Sequence, residues 1–136
     1  MPKQSPVPEG VDQPFFDACN EERLVVQNCT SCDRLQHPPA ASCRACGADA
    51  MEWREVSGRG TIYSYAVIYD TPIRVLQGDQ PYNCAIIQLE EDPGIVFPSQ
   101  LPGIAPDNVP IGANVEVIFE TTPATGQKVP EWRLVS

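Results

Sequence analysis

The sequence has little positive charge: nine Lys and Arg residues stand against 18 Asp and Glu residues, which gives a formal net charge of −9. Binding to a phosphate backbone requires clustered Lys and Arg, so the composition disfavours a nucleic-acid-binding protein. The imbalance is uneven, because residues 75–136 hold eight acids and two bases whereas residues 29–59 hold four of each. A nucleic-acid role is left open only for the neutral segment.

Long apolar runs are also absent. None approaches the roughly 18 residues of a membrane-spanning helix, and the N-terminal segment MPKQSPVPEGVDQP lacks the apolar core of a secretory signal. We therefore expect a cytoplasmic protein without membrane contact. In a reducing compartment, six cysteines in a chain of 136 residues indicate metal binding or buried thiols rather than disulfides.

Histidine is scarce, because His37 is the only one in the chain. A Ser–His or Cys–His couple would have to use that residue, and a structural or surface role is favoured for it. The consecutive acids Glu90, Glu91 and Asp92 could perform acid–base chemistry. Their position before Pro93 favours a solvated turn instead, so no catalytic residue is predicted.

Four of the cysteines form two Cys-x-x-Cys pairs separated by ten residues, which is typical of a structural zinc site. Gly47 suits the left-handed conformation that closes such a turn. The alternatives are two disulfides or a redox pair, but a redox Cys-x-x-Cys usually opens a helix, and neither pair precedes helical periodicity. Four thiolates leave no open position for a catalytic water. The predicted Zn²⁺ ligands are Cys29, Cys32, Cys43 and Cys46.

The rest of the chain is predicted to be mainly β. Asp12 is placed to cap a short helix over residues 15–19, in which Cys19 packs inward. An apolar strand at residues 24–26 leads into the first cysteine pair, and Cys84 is expected to be a buried small hydrophobe in a later strand. Five short strands with turn signals between them indicate a small barrel or sandwich. They cover residues 61–69, 82–89, 94–97, 115–119 and 132–135.

Three segments follow from this pattern. Residues 1–14 are proline-rich and are expected to form a flexible leader. Residues 15–55 hold the helix and the zinc-binding region, and residues 56–136 form the barrel. The Ser-Gly-Arg-Gly segment at 57–60 lacks the following helix of a phosphate loop and is interpreted as the hinge between the last two segments.

The order of these features resembles a known family in which a rubredoxin-like zinc ribbon is joined to an OB-fold and which is associated with acyl-CoA enzymes. The resemblance runs from about Phe15 to Arg133. The motifs that carry it are Cys29-x-x-Cys32, the segment 36–39 (Gln-His-Pro-Pro), Cys43-x-x-Cys46-Gly47, Trp53, the junction 56–65 (Val-Ser-Gly-Arg-Gly-Thr-Ile-Tyr-Ser-Tyr), Tyr82, Ala85, the segment 89–91 and Ile111-Gly112.

The resemblance implies an N-terminal short helix, a zinc ribbon and a C-terminal five-stranded OB-fold barrel. It also implies a non-catalytic accessory subunit that docks on and stabilises a thiolase-superfamily enzyme, either a thiolase or a retro-aldolase. That partner would make or break a carbon–carbon bond in an acyl-CoA during the degradation of an aromatic or steroid acid. The complex is expected to be a heterotetramer, and the accessory chain can help to form the CoA channel.

The sequence also offers candidate residues for contacts with the ligand and the partner. The basic residues near the ribbon and hinge that could meet CoA phosphates are Arg34, Arg44, Arg54 and Arg59. The residues proposed for the partner interface are Phe15, Phe16, Arg74 and Tyr82. The segment 70–81, which departs from the family pattern as a polar insertion, is hypothesised to contact the partner or to line the substrate entrance.

Two other functions remain open from the sequence. One is a stand-alone OB-fold protein that binds acyl-CoA or nucleic acid, which a soluble monomer binding RNA or single-stranded DNA would support. The other is independent catalysis, which predicts turnover of a CoA thioester by the isolated chain. The scarcity of basic residues argues against the nucleic-acid ligand, and the acidic barrel and the missing general base argue against catalysis.

Overall fold

The computed structural model of the chain describes residues 5–135. Its helix α1 spans Gln13–Asn20 and follows a 3₁₀ turn at Gly10–Asp12. Phe15, Ala18 and Cys19 are buried at helical spacing, as an amphipathic helix requires. Asp12 occupies the N-cap position of α1, but its carboxylate accepts the Glu9 N–H at 2.6 Å instead of capping the helix. The predicted cap therefore stabilises the preceding turn.

The zinc-ribbon region is built on a three-stranded antiparallel sheet. Its strands are β1 (Val25–Cys29), β2 (Leu35–Gln36) and β3 (Met51–Glu55), in the spatial order β2-β1-β3. Every residue of the central strand β1 is buried. Its partners were not predicted, because β2 has two residues and β3 is a mainly polar strand with no apolar alternation.

The second sheet holds five antiparallel strands in the spatial order β6-β5-β4-β7-β8. All five strands of the predicted barrel are present, with boundaries within a few residues of those expected. They are β4 (Arg59–Ile68), β5 (Tyr82–Leu89), β6 (Val96–Ser99), β7 (Asn114–Thr121) and β8 (Lys128–Leu134).

The sheet curls into a nearly closed barrel because its two outer strands meet. The Ser99 hydroxyl on β6 donates to the Glu131 carboxylate on β8 at 2.7 Å and accepts the Trp132 N–H at 3.0 Å. The carboxylate of Glu131 also accepts the N–H of Gln100. Side-chain bonds thus replace the backbone ladder at the seam and satisfy polar groups that closure buries.

The close pairing of β4 with its neighbours explains why residue 60, the second glycine of the Gly-Arg-Gly junction, is glycine. Gly60 pairs with Leu89 on one side and with Val115 on the other, so β4 is hydrogen-bonded along both edges at this point. A Cβ atom here would collide with the backbone oxygen of Gln88 and with the side chain of Ile87. Only glycine allows this close approach of two strands.

One continuous apolar core joins the ribbon to the barrel. The barrel contributes Ile62, Ile87 and Trp132, which are at most 1% exposed, and α1 contributes Phe15 and Cys19. Each side chain of this size contributes about 1.5–3 kcal/mol by leaving water. The predicted packing role of Cys19 is confirmed, whereas Cys84 on β5, which was predicted to be buried, is only half-buried because its position on the strand faces away from the core.

The helix is tied to the far end of the chain. The Gln127 side chain donates to the Phe16 C=O at 3.0 Å, and the Lys128 N–H donates to the Asn20 side chain at 3.0 Å. The Ser5 hydroxyl donates to that of Thr122 at 2.7 Å. The predicted leader over residues 1–14 therefore contains a segment with defined contacts, while residues 1–4 lie outside the described part. Its flexibility stays a prediction.

Within residues 5–135, no helix has the length and apolar character needed to cross a membrane.

Candidate metal centre and ribbon cleft

The structure brings the four predicted cysteine ligands together. Their Sγ atoms all lie within 4.8 Å of one another, with 3.6 Å between Cys29 and Cys46 and 3.7 Å between Cys32 and Cys43. A tetrahedral zinc with Zn–S bonds of about 2.3 Å places its sulfurs roughly 3.8 Å apart. The cysteine set therefore fits a bound Zn²⁺, and zinc is the cofactor of this ribbon.

The first cysteine turn is an extension of the ribbon sheet. Cys29 ends β1, and its N–H donates to the Arg34 C=O at 2.9 Å. The Asp33 N–H donates back to the Cys29 C=O at 2.7 Å. Asp33 has a φ of 58°, a left-handed conformation that Asp tolerates better than most residues. Backbone bonds therefore connect this turn to the strand, and the side chains of Thr30 and Asp33 add bonds to Ala50 and Arg54.

The second cysteine turn lies in irregular chain between β2 and β3. The Cys43 N–H donates to the Ala48 C=O at 2.9 Å, and the Gly47 N–H donates to the Cys43 C=O at 2.8 Å. Gly47 has a φ of 77°, as predicted for the residue that closes the turn. Cys46 is exposed and Cys43 is buried, so the site lies at the surface with one ligand open to solvent.

The backbone of the second cysteine turn stabilises the thiolate of Cys43. Backbone N–H groups of Cys46 and Ala45 stabilise the thiolate and lower the pKa of Cys43 to about 6. Desolvation, followed by hydrogen bonds with the neighbouring thiols, raises the pKa of Cys32 to about 12. A bound metal ion deprotonates its coordinating thiols outright, so Zn²⁺ stabilises all four thiolates at neutral pH.

His37 lies beside the ribbon, where it is half-buried against the apolar core. Its ring stacks on Phe97 of β6 with centroids 4.3 Å apart, and it also contacts Phe15 of α1 at 5.2 Å. Burial, together with the nearby charge of Arg44, lowers the pKa of His37 to about 4. The imidazole is therefore neutral at physiological pH and acts as a packing residue between ribbon, helix and barrel.

The four arginines predicted to meet CoA fall into three places. Arg34 and Arg44 line a cleft of about 430 Å³ between the ribbon and the turn at Asp92–Ile95, with His37 and Cys43 also in its wall. Arg54 is ion-paired with Asp33 at 3.3 Å. Arg59 lines a separate groove of about 510 Å³ on the outside of the barrel. Sequence proximity therefore grouped residues that the fold separates.

The residues predicted for the partner interface are also dispersed. Phe15 is 6% exposed and packs within the chain, so its side chain offers no surface to a partner. Phe16 and Tyr82 are half-buried, whereas Arg74 is exposed in a 3₁₀ turn at Arg74–Asp79. Within residues 5–135, Arg74 forms no ion pair.

The acids at 90–92 have a role that the sequence did not reveal. The Ser57 N–H donates to a Glu91 carboxylate oxygen at 2.5 Å, and the Ser57 hydroxyl lies within hydrogen-bonding distance of both Glu90 and Glu91. These carboxylates fix the hinge between ribbon and barrel, rather than only facing solvent. The sequence feature that could have indicated this role is the serine before the Gly-Arg-Gly junction. Its partners lie more than 30 residues away, so no local pattern connects them.

Comparison with protein families identifies both parts of this architecture. Residues 16–52 match the family described as ChsH2, rubredoxin-like zinc ribbon domain. Residues 53–120 match the family described as ChsH2, C-terminal OB-fold domain. Together the two matches cover the helix, the ribbon and most of the barrel.

Individual relatives are about one-third identical to the chain over the residues that align. A DUF35 domain-containing scaffold protein of Methanothermobacter thermautotrophicus is 33% identical over 105 residues, covering 76% of this chain and 77% of that protein. A probable enoyl-CoA hydratase alpha subunit of Thermomonospora curvata is 38% identical over 101 residues, covering 74% of this chain. The chain spans only 30% of the length of that longer protein.

Two solved structures show the same architecture. A chain of the Ltp2-ChsH2(DUF35) aldolase aligns with a TM-score of 0.82 and 31% identity, covering 96% of this chain and 98% of that one. A DUF35-family protein of unknown function from Sulfolobus solfataricus aligns with a TM-score of 0.63 over 90% of this chain and 84% of that one. At 20% identity, this second likeness shows the fold alone.

Proposed function

Because the chain belongs to the ChsH2 family of DUF35 proteins, we propose that it is the non-catalytic accessory subunit of a thiolase-superfamily enzyme acting on an acyl-CoA. The observation that carries this proposal is the near-complete alignment with a chain of the Ltp2-ChsH2(DUF35) aldolase. The name scaffold protein, given to the archaeal relative, supports the same role. The partner subunit would supply the reactive groups.

The chemistry of the site supports an accessory role. Its four cysteines form a closed ligand set, in which zinc has no position for water or substrate. The only histidine is packed against Phe97 and is held neutral by burial. The zinc therefore stabilises the shape of the ribbon, and with it the surface that the ribbon presents.

The finer assignment concerns the substrate. We expect the partner to be a thiolase or a retro-aldolase. It would make or break a carbon–carbon bond in the CoA thioester of an aromatic or steroid acid. The Thermomonospora curvata relative, a probable enoyl-CoA hydratase subunit, supports a CoA thioester as substrate. We place the complex in the cytoplasm, as a heterotetramer.

The accessory chain would contact CoA at the ribbon cleft. Arg34 and Arg44 are exposed, and within residues 5–135 neither has an ion-pair partner. Two guanidinium groups beside one cleft suit a phosphate, which they can bind through charge-assisted hydrogen bonds. The phosphates of CoA would lie here, with the pantetheine arm leading towards the partner's active site.

Kinetics of the reconstituted complex test this contact. Arg34→Ala, Arg44→Ala and the double variant should raise the partner's KM for the acyl-CoA, by about tenfold for each lost charge-assisted bond. Arg54→Ala is the matched control, because Arg54 is already paired with Asp33. An unchanged KM in the double variant would rule out the proposed CoA contact and leave only the scaffolding role.

The interface is proposed to include the insertion at 70–81. Arg74 and Val75, which is 53% exposed, lie within this insertion, and Tyr69, which is 67% exposed, and the half-buried Tyr82 flank it. Exposed aromatic and arginine side chains are enriched at protein interfaces. Arg74→Glu should weaken the complex at least tenfold without changing the stability of the isolated chain. Equal affinity of the variant and the wild type would place the interface elsewhere.

Co-expression decides between the accessory role and its alternative. The chain should co-purify in fixed stoichiometry with a thiolase-superfamily partner expressed with it, and acyl-CoA turnover should require both. A monomer that binds RNA, single-stranded DNA or acyl-CoA without any such partner would favour the stand-alone OB-fold protein. Turnover by the isolated chain would contradict the non-catalytic assignment.

A further inference from the structure

The two cysteine turns are attached to the ribbon sheet in different ways. The first continues β1, and its backbone bonds connect it directly to the strand. The second lies outside any strand, and its own backbone bonds, Cys43 with Ala48 and Gly47 with Cys43, stay within the turn. Two ligands of the metal therefore depend on some other contact for their position relative to the sheet.

Gln36 provides that contact. It is 7% exposed, and its side-chain amide reaches the residues on both sides of Cys43. Its Nε2 donates to the Ser42 C=O at 3.2 Å, and its Oε1 accepts the Arg44 N–H at 2.8 Å. One rigid amide plane thus fixes the backbone immediately before and after a zinc ligand.

Gln27 holds Gln36 from the central strand. The two residues are direct cross-strand partners on β1 and β2, and the Gln36 Nε2 also donates to the Gln27 Oε1 at 3.2 Å. Gln27 is 3% exposed and exchanges two hydrogen bonds of 2.9 Å with the backbone of Ala40. The pair forms a connected network in which both amide groups have partners, as buried polar groups require.

We infer that Gln36, supported by Gln27, is a positioning residue for the metal: it holds the second cysteine turn against the sheet so that Cys43 and Cys46 meet Cys29 and Cys32. The inference does not depend on the proposed accessory role, because it concerns only this chain and its zinc. Outer-shell groups that hydrogen-bond the ligands contribute about 10- to 100-fold to metal affinity, and we expect Gln36, which holds the residues on either side of Cys43, to act on the same scale.

Zinc affinity of the full chain tests the inference. Gln36→Leu, which removes all three hydrogen bonds at similar volume, should weaken zinc binding about 10- to 100-fold in competition with a chromophoric chelator. Gln27→Leu leaves the contacts with Ser42 and Arg44 in place, so its effect should be smaller. A Co²⁺ titration should show a shifted ligand-field spectrum for Gln36→Leu, since the sulfur geometry changes.

A matched control separates positioning from general stability. Asn83 on β5 is 3% exposed and lies far along the chain from the four cysteine ligands. Its side-chain amide donates to the Leu101 C=O and accepts the Leu101 N–H. Asn83→Leu should lower the melting temperature but leave the zinc affinity unchanged. If Gln36→Leu also keeps the wild-type zinc affinity and Co²⁺ spectrum, the inference is wrong. Should that variant not fold, Gln36→Asn, too short to reach both Ser42 and Arg44, is judged by the same two readings.

Discussion

The ribbon and the barrel are stabilised by different interactions, although they share one core. Inside the ribbon, the buried side chains include the amides Gln27, Asn28 and Gln36, which are hydrogen-bonded around four metal-binding thiols. Inside the barrel, the fully buried side chains are mainly large and apolar, such as Ile87 and Trp132. A segment of about 40 residues cannot bury enough apolar surface to fold alone, so the ribbon depends on metal and polar contacts where the barrel depends on packing.

The largest expected effect is that of zinc removal. Cys43→Ser should abolish tight zinc binding and unfold the ribbon, because structural zinc sites contribute roughly 10 kcal/mol or more to the folding of small domains. Strands β4–β8 should keep their protection, since the barrel contains no metal ligand. Hydrogen exchange resolved along the chain measures both regions. Retained protection at residues 25–55 would show that the ribbon folds without metal.

The reciprocal change is in the barrel. Trp132→Ala removes a side chain with no exposed surface and should lower the free energy of unfolding by about 3–5 kcal/mol. The zinc affinity of the folded variant should stay unchanged. Denaturant unfolding and chelator competition measure the two quantities. Trp132→Phe is the control, and it should cost less because the indole N–H has no hydrogen-bond partner among the described residues.

His37 tests the contact between the two regions through pH. Its pKa is about 4 in the folded chain and about 6.5 when unfolded, so the unfolded state binds more protons between these values. The stability that neutral His37 contributes is complete above pH 6.5 and is lost as the pH falls towards 4. The total loss is at most about 3 kcal/mol. Unfolding of the zinc-loaded chain between pH 7 and pH 5 measures this slope.

His37→Phe supplies the comparison for that measurement. Phenylalanine can keep the stack on Phe97 and has no proton to bind, so the variant should lose most of the slope between pH 7 and pH 5. Any slope that comes from protonation of the zinc thiolates is common to both proteins. Identical slopes in variant and wild type would show that His37 titrates normally in the folded chain.

The smallest effects are expected on the surface of both regions. Arg54 pairs with Asp33 on the ribbon at 3.3 Å, and Arg133 pairs with Glu116 on the barrel at 2.6 Å. All four side chains are at least 41% exposed, so each pair is screened by solvent. Arg54→Ala and Arg133→Ala should each change the unfolding free energy by less than about 1 kcal/mol. A larger loss of unfolding free energy in either variant would show that surface ion pairs, and not only buried residues, contribute to the different stabilisation of ribbon and barrel.

The sequence predicted the metal ligands and the barrel strands well, for physical reasons. Two Cys-x-x-Cys turns and alternating apolar residues are local signals, and each reports directly on a local structure. Strands β2 and β3 were missed because they form through pairing with β1 rather than through a pattern of their own. The role of Gln36 and the clasp of Ser57 by Glu91 depend on contacts between distant residues, which no local pattern contains.

The arginines illustrate the same limit for the site. Arg34, Arg44, Arg54 and Arg59 are close in sequence and were grouped for that reason. In the structure, Arg54 is ion-paired with Asp33, and Arg59 is exposed on β4, where it lines a different groove from the cleft that Arg34 and Arg44 share. Charge and spacing indicate which residues can meet an anion, but the tertiary fold decides which of them share a cleft.

The attachment of α1 to the last hairpin has a consequence for biosynthesis. Asn20 is bonded to Gln127 and Lys128, residues that leave the ribosome more than 100 positions later. Until then, Phe15 and Cys19 have no completed core to enter, and the nascent N-terminal third exposes both apolar surface and metal-binding thiols. The ribbon with its four cysteine ligands is therefore synthesised before the hairpin that completes the packing of α1.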